Sequence, residues 1–205
     1  MAFKKKPKQG EVVKLVPLNV FKTVLTIRGT SPLVVHNWDE KAKELIRAKQ
    51  QGKASPGREP KNPEECFMAS KYLDAKGRDC IPGRAIKSAL VDAASFIPEL
   101  TKVSLRGTVF VDGELLPLKF EKCVMREDMV RIGLGSADMR YRASYLGWSC
   151  DVPLQINTSA ISLEQVVGVL QHAGFSIGIC EGRPQRNGDW GRFEVDLAAS
   201  AQKTA

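Results

Sequence analysis

The order of its amphipathic segments constrains the fold of this 205-residue chain more than any single motif. Alternate side chains from Phe21 to Arg28 share a face, with Leu25 and Ile27 on the same side as Phe21. This period of two predicts a strand. Apolar residues then recur at helical spacing over 86–97, which predicts a helix with one buried face.

The segments that follow continue the alternation between strand and helix patterns. Residues 103–111 alternate as a second strand, and Asp112-Gly113 is a typical two-residue hairpin turn that leads into a strand over 114–121. A further short strand is predicted over 151–157. Residues 122–150 combine glycines, arginines and aromatic residues, and for them we predict an arm or a long hairpin.

A second helix and a last strand close the pattern. Ser162 is a strong N-cap residue, Gln165 completes its capping box, and Gly174 is the predicted C-cap. Residues 192–197 then alternate as the final strand.

Without its insertions, the chain has the order strand, helix, strand, hairpin or arm, strand, helix, strand. This is the β-α-β-β-α-β plan of the ferredoxin-like α+β fold, in which two helices cover one face of an antiparallel sheet. We expect a basic tail at 1–19, one domain at 20–197 and a second tail at 198–205. Residues 38–79 contain a polar helix from Asp39 to about Gln51 and then a stretch rich in proline and glycine, which indicates a surface insertion.

The positive charge is concentrated at one end of the chain. The formal net charge is +8, from 31 Lys+Arg and 23 Asp+Glu, and all of this excess lies in residues 1–60. Such a balance indicates nucleic acid or an anionic membrane surface as partner, although a solubilising lysine-rich tail explains it equally well. No apolar run approaches the ~20 residues that a membrane span needs. The start of the chain lacks the apolar stretch of a secretory signal, so we expect a cytoplasmic protein with no membrane partner.

The cysteine pattern gives no reason to expect a metal or a disulfide framework. The five cysteines are 14, 43, 27 and 30 positions apart, and neither histidine lies near them in sequence. The count is odd and there is no C-x-x-C pair, so a zinc site and a set of disulfides are both disfavoured. We therefore expect neither a metal nor a cofactor.

The segment between Gly178 and Gly191 is the most informative for function. It holds four glycines, Arg183, Arg186 and Trp190 between a helix and a strand. Glycines let a backbone approach a phosphate closely, and arginines bind phosphate oxygens through two hydrogen bonds. The spacing matches neither a P-loop nor a dinucleotide fingerprint, and a purely structural turn remains the alternative.

Two other segments carry the residue types of a nucleic-acid site. The helix that follows Pro82-Gly83 presents Arg84 and Lys87 in its first turns, where the positive end of the helix dipole favours anions. A solvated basic turn is the alternative. In the predicted arm, basic and aromatic residues are interleaved, as in proteins that bind single-stranded nucleic acid, unless Trp148 and one tyrosine are core residues. This set comprises Arg140, Tyr141, Arg142, Tyr145 and Trp148.

Three of these segments resemble motifs of the RAMP superfamily of CRISPR-associated proteins. VLTIRGTSPLVVHN at 24–37 is similar to the opening strand and loop of that superfamily. CIPGRAIKSAL at 80–90 is similar to its IPGSSLKG helix entry, and GICEGRPQRNGDWGRFEV at 178–195 resembles its glycine-rich loop and last strand. The motifs occur in the family's order along the chain.

The resemblance is closest to the backbone subunit of multi-subunit CRISPR effectors. It implies a modified RRM fold and a protein that polymerises along guide RNA in a helical array, binds a complementary target and contacts other effector subunits. It also implies that 38–79 are a fingers-like insertion and 122–150 a thumb-like arm. Residues expected to contact nucleic acid are Arg28, His36, Arg84, Lys87, Arg140, Tyr141, Arg142, Arg183, Arg186, Trp190 and Arg192.

Departures from the family pattern leave two alternatives open. Ser88 stands where the family motif has glycine, the last loop reads GDWG where GYG is more usual, and the chain is short for a backbone subunit. A free-standing phage or mobile-element protein that binds single-stranded DNA or RNA is therefore one alternative. The other is an RNA-cleaving subunit, since some members cut target RNA with an aspartate after the first strand, where Asp39 stands beside His36. Asp39 is equally explained as a helix N-cap.

Overall fold

The structure is a computed structural model that describes residues 17–38, 40–53, 60–132 and 135–201. The strands of this part of the chain are β1 (Val20–Gly29), β2 (Leu33–Val35), β3 (Tyr72–Leu73), β4 (Asp79–Pro82), β5 (Val109–Val111), β6 (Leu115–Lys119), β7 (Lys122–Ile132), β8 (Ser136–Leu146), β9 (Ser149–Asn157) and β10 (Phe193–Asp196). Its α-helices are α1 (Glu40–Gln50), α2 (Pro63–Ala69), α3 (Gly83–Ala93), α4 (Lys102–Thr108), α5 (Leu163–His172) and α6 (Leu197–Ala201).

The larger sheet has the strand order of a ferredoxin-like fold. Its order is β10-β1-β9-β6-β4-β3, with β5 also paired to β9. β1 is antiparallel to both β9 and β10, and β9 is antiparallel to β5 and β6. The four strand positions of the β-α-β-β-α-β plan are thus filled by β1, then β5 and β6, then β9, then β10, with α3 and α5 as the two helices. The predicted α+β class and ferredoxin-like order are confirmed.

The core lies between this sheet and the two long helices. Burial alternates along β9, where Val152, Leu154 and Ile156 are enclosed and their neighbours are not, as expected when one face of a sheet is covered. Leu25 and Ile27 of β1 are buried on the same side. The helices contribute the buried side chains Ile86, Ala89, Leu90, Val91 and Ala93 from α3 and Val166, Val169 and Leu170 from α5.

The strand predicted over 103–111 is wrong for most of its length. Residues 102–108 form α4, which starts at Thr101 with a capping box closed by Ser104, and only Val109–Val111 is a strand. Leu105 and Val109 are buried four residues apart, whereas Val103 is 75% exposed. Apolar residues at 103, 105, 109 and 111 fit the strand period of two, and those at 105 and 109 also fit the helical spacing of four. The segment forms a helix because the capping box satisfies backbone N–H groups at its start.

The chain also differs from the sequence prediction around the ends of two elements. Gly174 is not the C-cap of α5, because the helix runs from His172 into a turn of π-helix at Ala173–Ile177, and Gly178, at φ 68°, ends it. The last strand stops at Asp196, and α6 follows where a tail was expected. Ser200 of α6 is buried, and its hydroxyl accepts a hydrogen bond from the Thr26 backbone N–H.

A second sheet, of order β2-β8-β7, contains a long hairpin. β7 and β8 pair continuously from Lys122 opposite Leu146 to Ile132 opposite Ser136. This hairpin lies within the segment for which the sequence predicts an arm. Near its base Tyr145 is buried and donates a hydrogen bond to Asp79 Oδ1 at 2.6 Å.

Trp148 follows the hairpin and is also a core residue. Its side chain is 0% exposed, and its indole N–H donates to the Ser31 carbonyl at 2.8 Å. The alternative that Trp148 and one tyrosine belong to the core is therefore the one that holds.

No α-helix in the described part of the chain is both long and apolar enough to cross a membrane.

We predict that Gly174→Ala destabilises the protein. A Cβ at Gly174 would lie 1.9 Å from the Phe193 carbonyl oxygen, so helix and strand would have to separate. Overpacking of this kind costs about 1–3 kcal/mol of unfolding free energy, and each kcal/mol lowers the melting temperature of a chain this long by about 2–4 °C.

The matched control is Gly168→Ala, on the preceding helix. No atom lies within 4 Å of the Cβ that would be added there, and alanine favours helix by about 0.8–1 kcal/mol over glycine. Thermal melts in which Gly174→Ala is as stable as Gly168→Ala would contradict this account of the packing.

Candidate nucleic-acid interface

The glycine-rich loop is closed on itself and onto β2 by backbone hydrogen bonds. Ile179 N–H donates to the Gly191 carbonyl at 3.0 Å, and Gly191 N–H donates to the Pro32 carbonyl at 2.8 Å. A Cβ at Gly191 would lie 2.0 Å from the Ile179 carbonyl oxygen, and Gly182 packs equally closely against Trp190. Both glycines have positive φ. The protein's own packing therefore accounts for these two glycines, without a phosphate.

The two arginines of the loop have different surroundings. Arg183 donates to the Cys180 carbonyl at 2.9 Å and to the Gln185 side chain at 3.1 Å, so its guanidinium is held near the loop's start. Arg186 lies exposed at the end of the 3₁₀ turn Pro184–Arg186. The loop thus presents one fixed cation and one exposed cation.

The start of α3 presents Arg84 on the surface. β4 runs directly into this helix, with Pro82 in the N-cap position. Gly83 is buried, and a Cβ there would lie 2.2 Å from the Gly113 carbonyl oxygen. Arg84 is the first exposed residue of the helix, and its charge lowers the pKa of Tyr72, which burial raises more strongly.

Lys87, one turn further along, has a structural role. Its ammonium donates to the carbonyls of Leu105 and Arg106, each at 3.0 Å, and to the carbonyl of Val109. It also lies 4.8 Å from the centre of the Phe110 ring. These bonds tie α3 to the last turn of α4 and to the first residue of β5, although the Leu105 carbonyl also accepts from the Val109 N–H. Burial lowers the pKa of Lys87.

His36, Arg84 and Arg183 line one cavity, although they come from three segments far apart in sequence. This central cavity, of about 340 Å³, lies between the start of α3 and the glycine-rich loop. Tyr72, Ser88, Asp92 and Gln185 are among its other walls. The structure therefore brings together three of the residues that the sequence predicts as nucleic-acid contacts.

Two further cavities adjoin the central one. The arm cavity, of about 280 Å³, shares His36 with it and is lined by Lys61, Asp138, Arg140 and Tyr141. The helix cavity, of about 820 Å³, shares Tyr72, Pro82 and Arg84 with the central cavity and Asn37 and Trp38 with the arm cavity. We call the three together the composite groove.

The composite groove carries a positive balance. Its walls include six lysines and arginines, namely Lys43, Lys61, Arg84, Lys87, Arg140 and Arg183, and four carboxylates, namely Asp92, Asp138, Glu114 and Glu181. Asp138 accepts from Lys61 at 2.5 Å, and Asp92 accepts from Lys102 at 2.7 Å and from Gln185 at 2.8 Å. The bond from Lys102 is the main reason that the pKa of Asp92 is lowered.

His36 stands where the arm and central cavities meet. Partial burial lowers its pKa first, and the positive charges of Arg142 and Arg140 lower it further. The lowered pKa favours the neutral form of the imidazole in the free protein.

Five of the residues that the sequence predicts as contacts lie outside the walls of these cavities. Arg28 pairs with Asp196, and Arg192 lies over the Phe175 ring at 4.9 Å. Trp190 is covered on one side by the Arg126 guanidinium at 4.0 Å. The remaining two are Arg142 and Arg186. For these five, as for the six that line the cavities, contact with nucleic acid stays a prediction.

Arg142 is buried, whereas the sequence analysis expects it on the surface as a contact to nucleic acid. Its side chain is 6% exposed and lies between Asp128, at 3.5 Å, and Glu181, at 3.8 Å. This ion-pair cluster joins the hairpin to the glycine-rich loop.

Sequence reasoning missed the exposed Trp38 and the neighbouring Tyr72 and Lys61. Trp38 is 57% exposed and lines two of the cavities. The signal was present, because this tryptophan stands between polar residues and outside any apolar period. Asp39, the candidate catalytic residue, lies outside the described residues, and among those that are described no group of three His, Cys, Asp or Glu could hold a metal ion.

No protein-family model matches this chain, and no curated protein matches it. Among solved structures, the chain is similar to Cmr6 from Pyrococcus furiosus, with 12% identity and a TM-score of 0.43. That similarity covers 88% of this chain and 100% of the other. The fold assignment above rests on the strand order and not on this likeness.

We predict that Lys87→Met destabilises the protein. Methionine keeps the length of the side chain but leaves the carbonyls at the end of α4 without a charged donor. Hydrogen bonds to charged groups contribute about 1.5–3 kcal/mol, so the free energy of unfolding should fall by that amount. The measurement is urea denaturation, with the exposed Lys22→Met of β1 as the control that stays within about 0.5 kcal/mol of the wild type. Equal free energies of unfolding for the two variants would contradict a structural role for Lys87.

Proposed function

We propose that this protein binds single-stranded RNA in the composite groove and does not cut it. The observation that carries the proposal is the meeting of His36, Arg84 and Arg183 on one cavity. The three residues come from segments far apart in sequence, namely a loop after β2, the start of α3 and the loop before β10, so only the fold brings them to one cavity. Arginines that converge on one concave site are typical of a surface that neutralises phosphates.

The composition of the groove favours a single strand over a duplex. Its cavities are lined by aromatic side chains as well as cations, including Trp38, Tyr72 and Tyr141. Unpaired bases can stack on such rings, whereas the bases of a duplex are stacked on one another and out of reach. Contacts to the backbone would hold the strand, and base pairing with a second strand would then supply sequence specificity.

Within this proposal, the protein is a backbone-type subunit of a CRISPR effector. The resemblance of residues 24–37, 80–90 and 178–195 to RAMP motifs supports this role, and all three motifs supply walls of the central cavity. Assembly of copies into an array along guide RNA, contacts with other effector subunits and a thumb-like role for the β7–β8 hairpin belong to the same proposal.

The nucleic acid that the protein carries distinguishes this role from its alternative. We expect the protein purified from its host to retain RNA of a narrow length range that shares a common repeat-derived end, as guide RNA does. Heterogeneous single-stranded DNA in the same preparation would instead support a free-standing phage or mobile-element protein. Cleavage at Asp39 stays a separate prediction, and Asp39→Ala with undiminished cutting of target RNA would exclude it.

We predict that Arg84→Ala combined with Arg140→Ala weakens RNA binding and flattens its salt dependence. Each phosphate contact to a single strand contributes about 0.7 to the slope of log affinity against log salt concentration. The double variant should therefore lose about 1.4 from that slope, measured between about 50 and 200 mM salt. Both side chains line the groove, and the structure shows neither in an ion pair within its described part.

The matched control is Arg106→Ala, an exposed arginine of α4 that lines none of the three cavities. Its slope should equal that of the wild type. If both variants change the slope alike, binding follows overall charge and the groove is not the site.

A further inference from the structure

Trp38 differs from the other two tryptophans in what covers it. Trp148 is 0% exposed, and the ring of Trp190 has the Arg126 guanidinium over it. Trp38 is 57% exposed and lines both the arm and the helix cavities. A large aromatic surface is thus left facing a concave and basic site.

The backbone at Trp38 is fixed, although its side chain is exposed. The Trp38 N–H donates to Asn37 Oδ1 at 2.8 Å, and the Asn37 side-chain amide donates to the Lys71 carbonyl at 3.1 Å. The Asn37 N–H donates to the Ser70 carbonyl at 2.8 Å. A ligand that stacks on this indole would therefore not have to order the loop first, which reduces the entropic cost of binding.

The helix cavity has the chemistry of a nucleotide site. Its volume of about 820 Å³ lies within the range of small-molecule pockets. Trp38, Tyr72 and Phe110 supply aromatic walls, and Lys43, Arg84 and Lys87 supply positive charge against the one carboxylate of Glu114. Aromatic walls alone would suit an apolar peptide and cations alone an inorganic anion, whereas a nucleotide has both a planar ring and a phosphate.

Trp38 is a better stacking surface than Phe110. The Lys87 ammonium lies 4.8 Å from the centre of the Phe110 ring and is itself held by backbone carbonyls. One face of Phe110 is thereby occupied. The indole is also the larger ring system.

We infer that Trp38 is a base-stacking residue, and that the helix cavity receives the base of one RNA nucleotide whose phosphate lies at Arg84. This inference rests on the proposed function, because Arg84 borders both the central and the helix cavities. A strand whose backbone crosses Arg84 can turn a base toward the indole while its neighbouring phosphates stay in the central cavity. Trp38 would then contribute affinity that does not depend on charge.

The test compares Trp38→Ala and Trp38→Phe with the wild type, using fluorescein-labelled oligouridylate of about 12 nucleotides. Base stacking on an aromatic residue contributes ~1–3 kcal/mol, so Trp38→Ala should weaken binding about 5- to 150-fold. Trp38→Phe should keep most of the affinity. Neither change should alter the salt slope, because no cation is removed. An abasic oligomer of equal length should bind the wild type and Trp38→Ala alike.

Phe96→Ala is the matched control, since Phe96 is 50% exposed but lies on the turn after α3 and lines none of the cavities. It should bind oligouridylate as the wild type does, and thermal melts should show all variants folded. Tryptophan fluorescence should be quenched by oligouridylate in the wild type and far less in Trp38→Phe, because Trp148 is buried and one face of the Trp190 ring is covered by Arg126.

The outcomes separate the two proposals. If the wild type binds oligouridylate with a salt slope that depends on Arg84 and Arg140, while Trp38→Ala binds as tightly as Phe96→Ala, the stacking role alone is overturned. If the wild type binds no single-stranded RNA, both the proposed function and the stacking role are overturned.

Discussion

The pairing of the glycine-rich loop with residues 30–34 is the constraint on which the composite groove depends. Three backbone hydrogen bonds make this contact: Glu181 N–H to the Val34 carbonyl at 3.0 Å, Gly191 N–H to the Pro32 carbonyl at 2.8 Å, and Thr30 N–H to the Arg192 carbonyl at 2.9 Å. They hold the loop beside the segment that leads to His36. Leaving these partly buried backbone groups unpaired would cost free energy, so the loop is held in this one position against residues 30–34.

A cluster of buried charges joins the glycine-rich loop to the β7–β8 hairpin. Arg142 of β8 lies between Asp128 of the same hairpin and Glu181 of the loop. A buried cation is tolerated only when it is paired, and removing one partner from such a cluster costs more than the pair itself contributes. The hairpin, the loop and the position of His36 are therefore coupled through one cluster, whose Glu181 also lines the central cavity.

Sequence patterns predicted most of the frame and part of the groove. The capping box at Ser162 and the apolar spacing of 86–97 are local signals, and the structure confirms a helix at both places. The segment 103–111 was wrongly predicted as a strand because its apolar spacing fits the periods of both a strand and a helix. At the groove, three of the residues expected to contact nucleic acid, His36, Arg84 and Arg183, line one cavity. Residue type could not distinguish them from Arg142, whose burial comes from partners far away in the chain.

The sequence by itself determined the order of the main strands and helices of the β-α-β-β-α-β plan, because periodicity and caps depend on side chains that are close in sequence. It also determined that arginines and aromatic residues flank the glycine-rich loop. Only the tertiary structure decided which of these side chains reach the groove. Lys87 lines the helix cavity, but its ammonium bonds the carbonyls of Leu105 and Arg106. Trp148 is enclosed in the core, and Trp38 is exposed and lines two cavities. The physical reason is that exposure depends on contacts between segments distant in sequence, which no local pattern records.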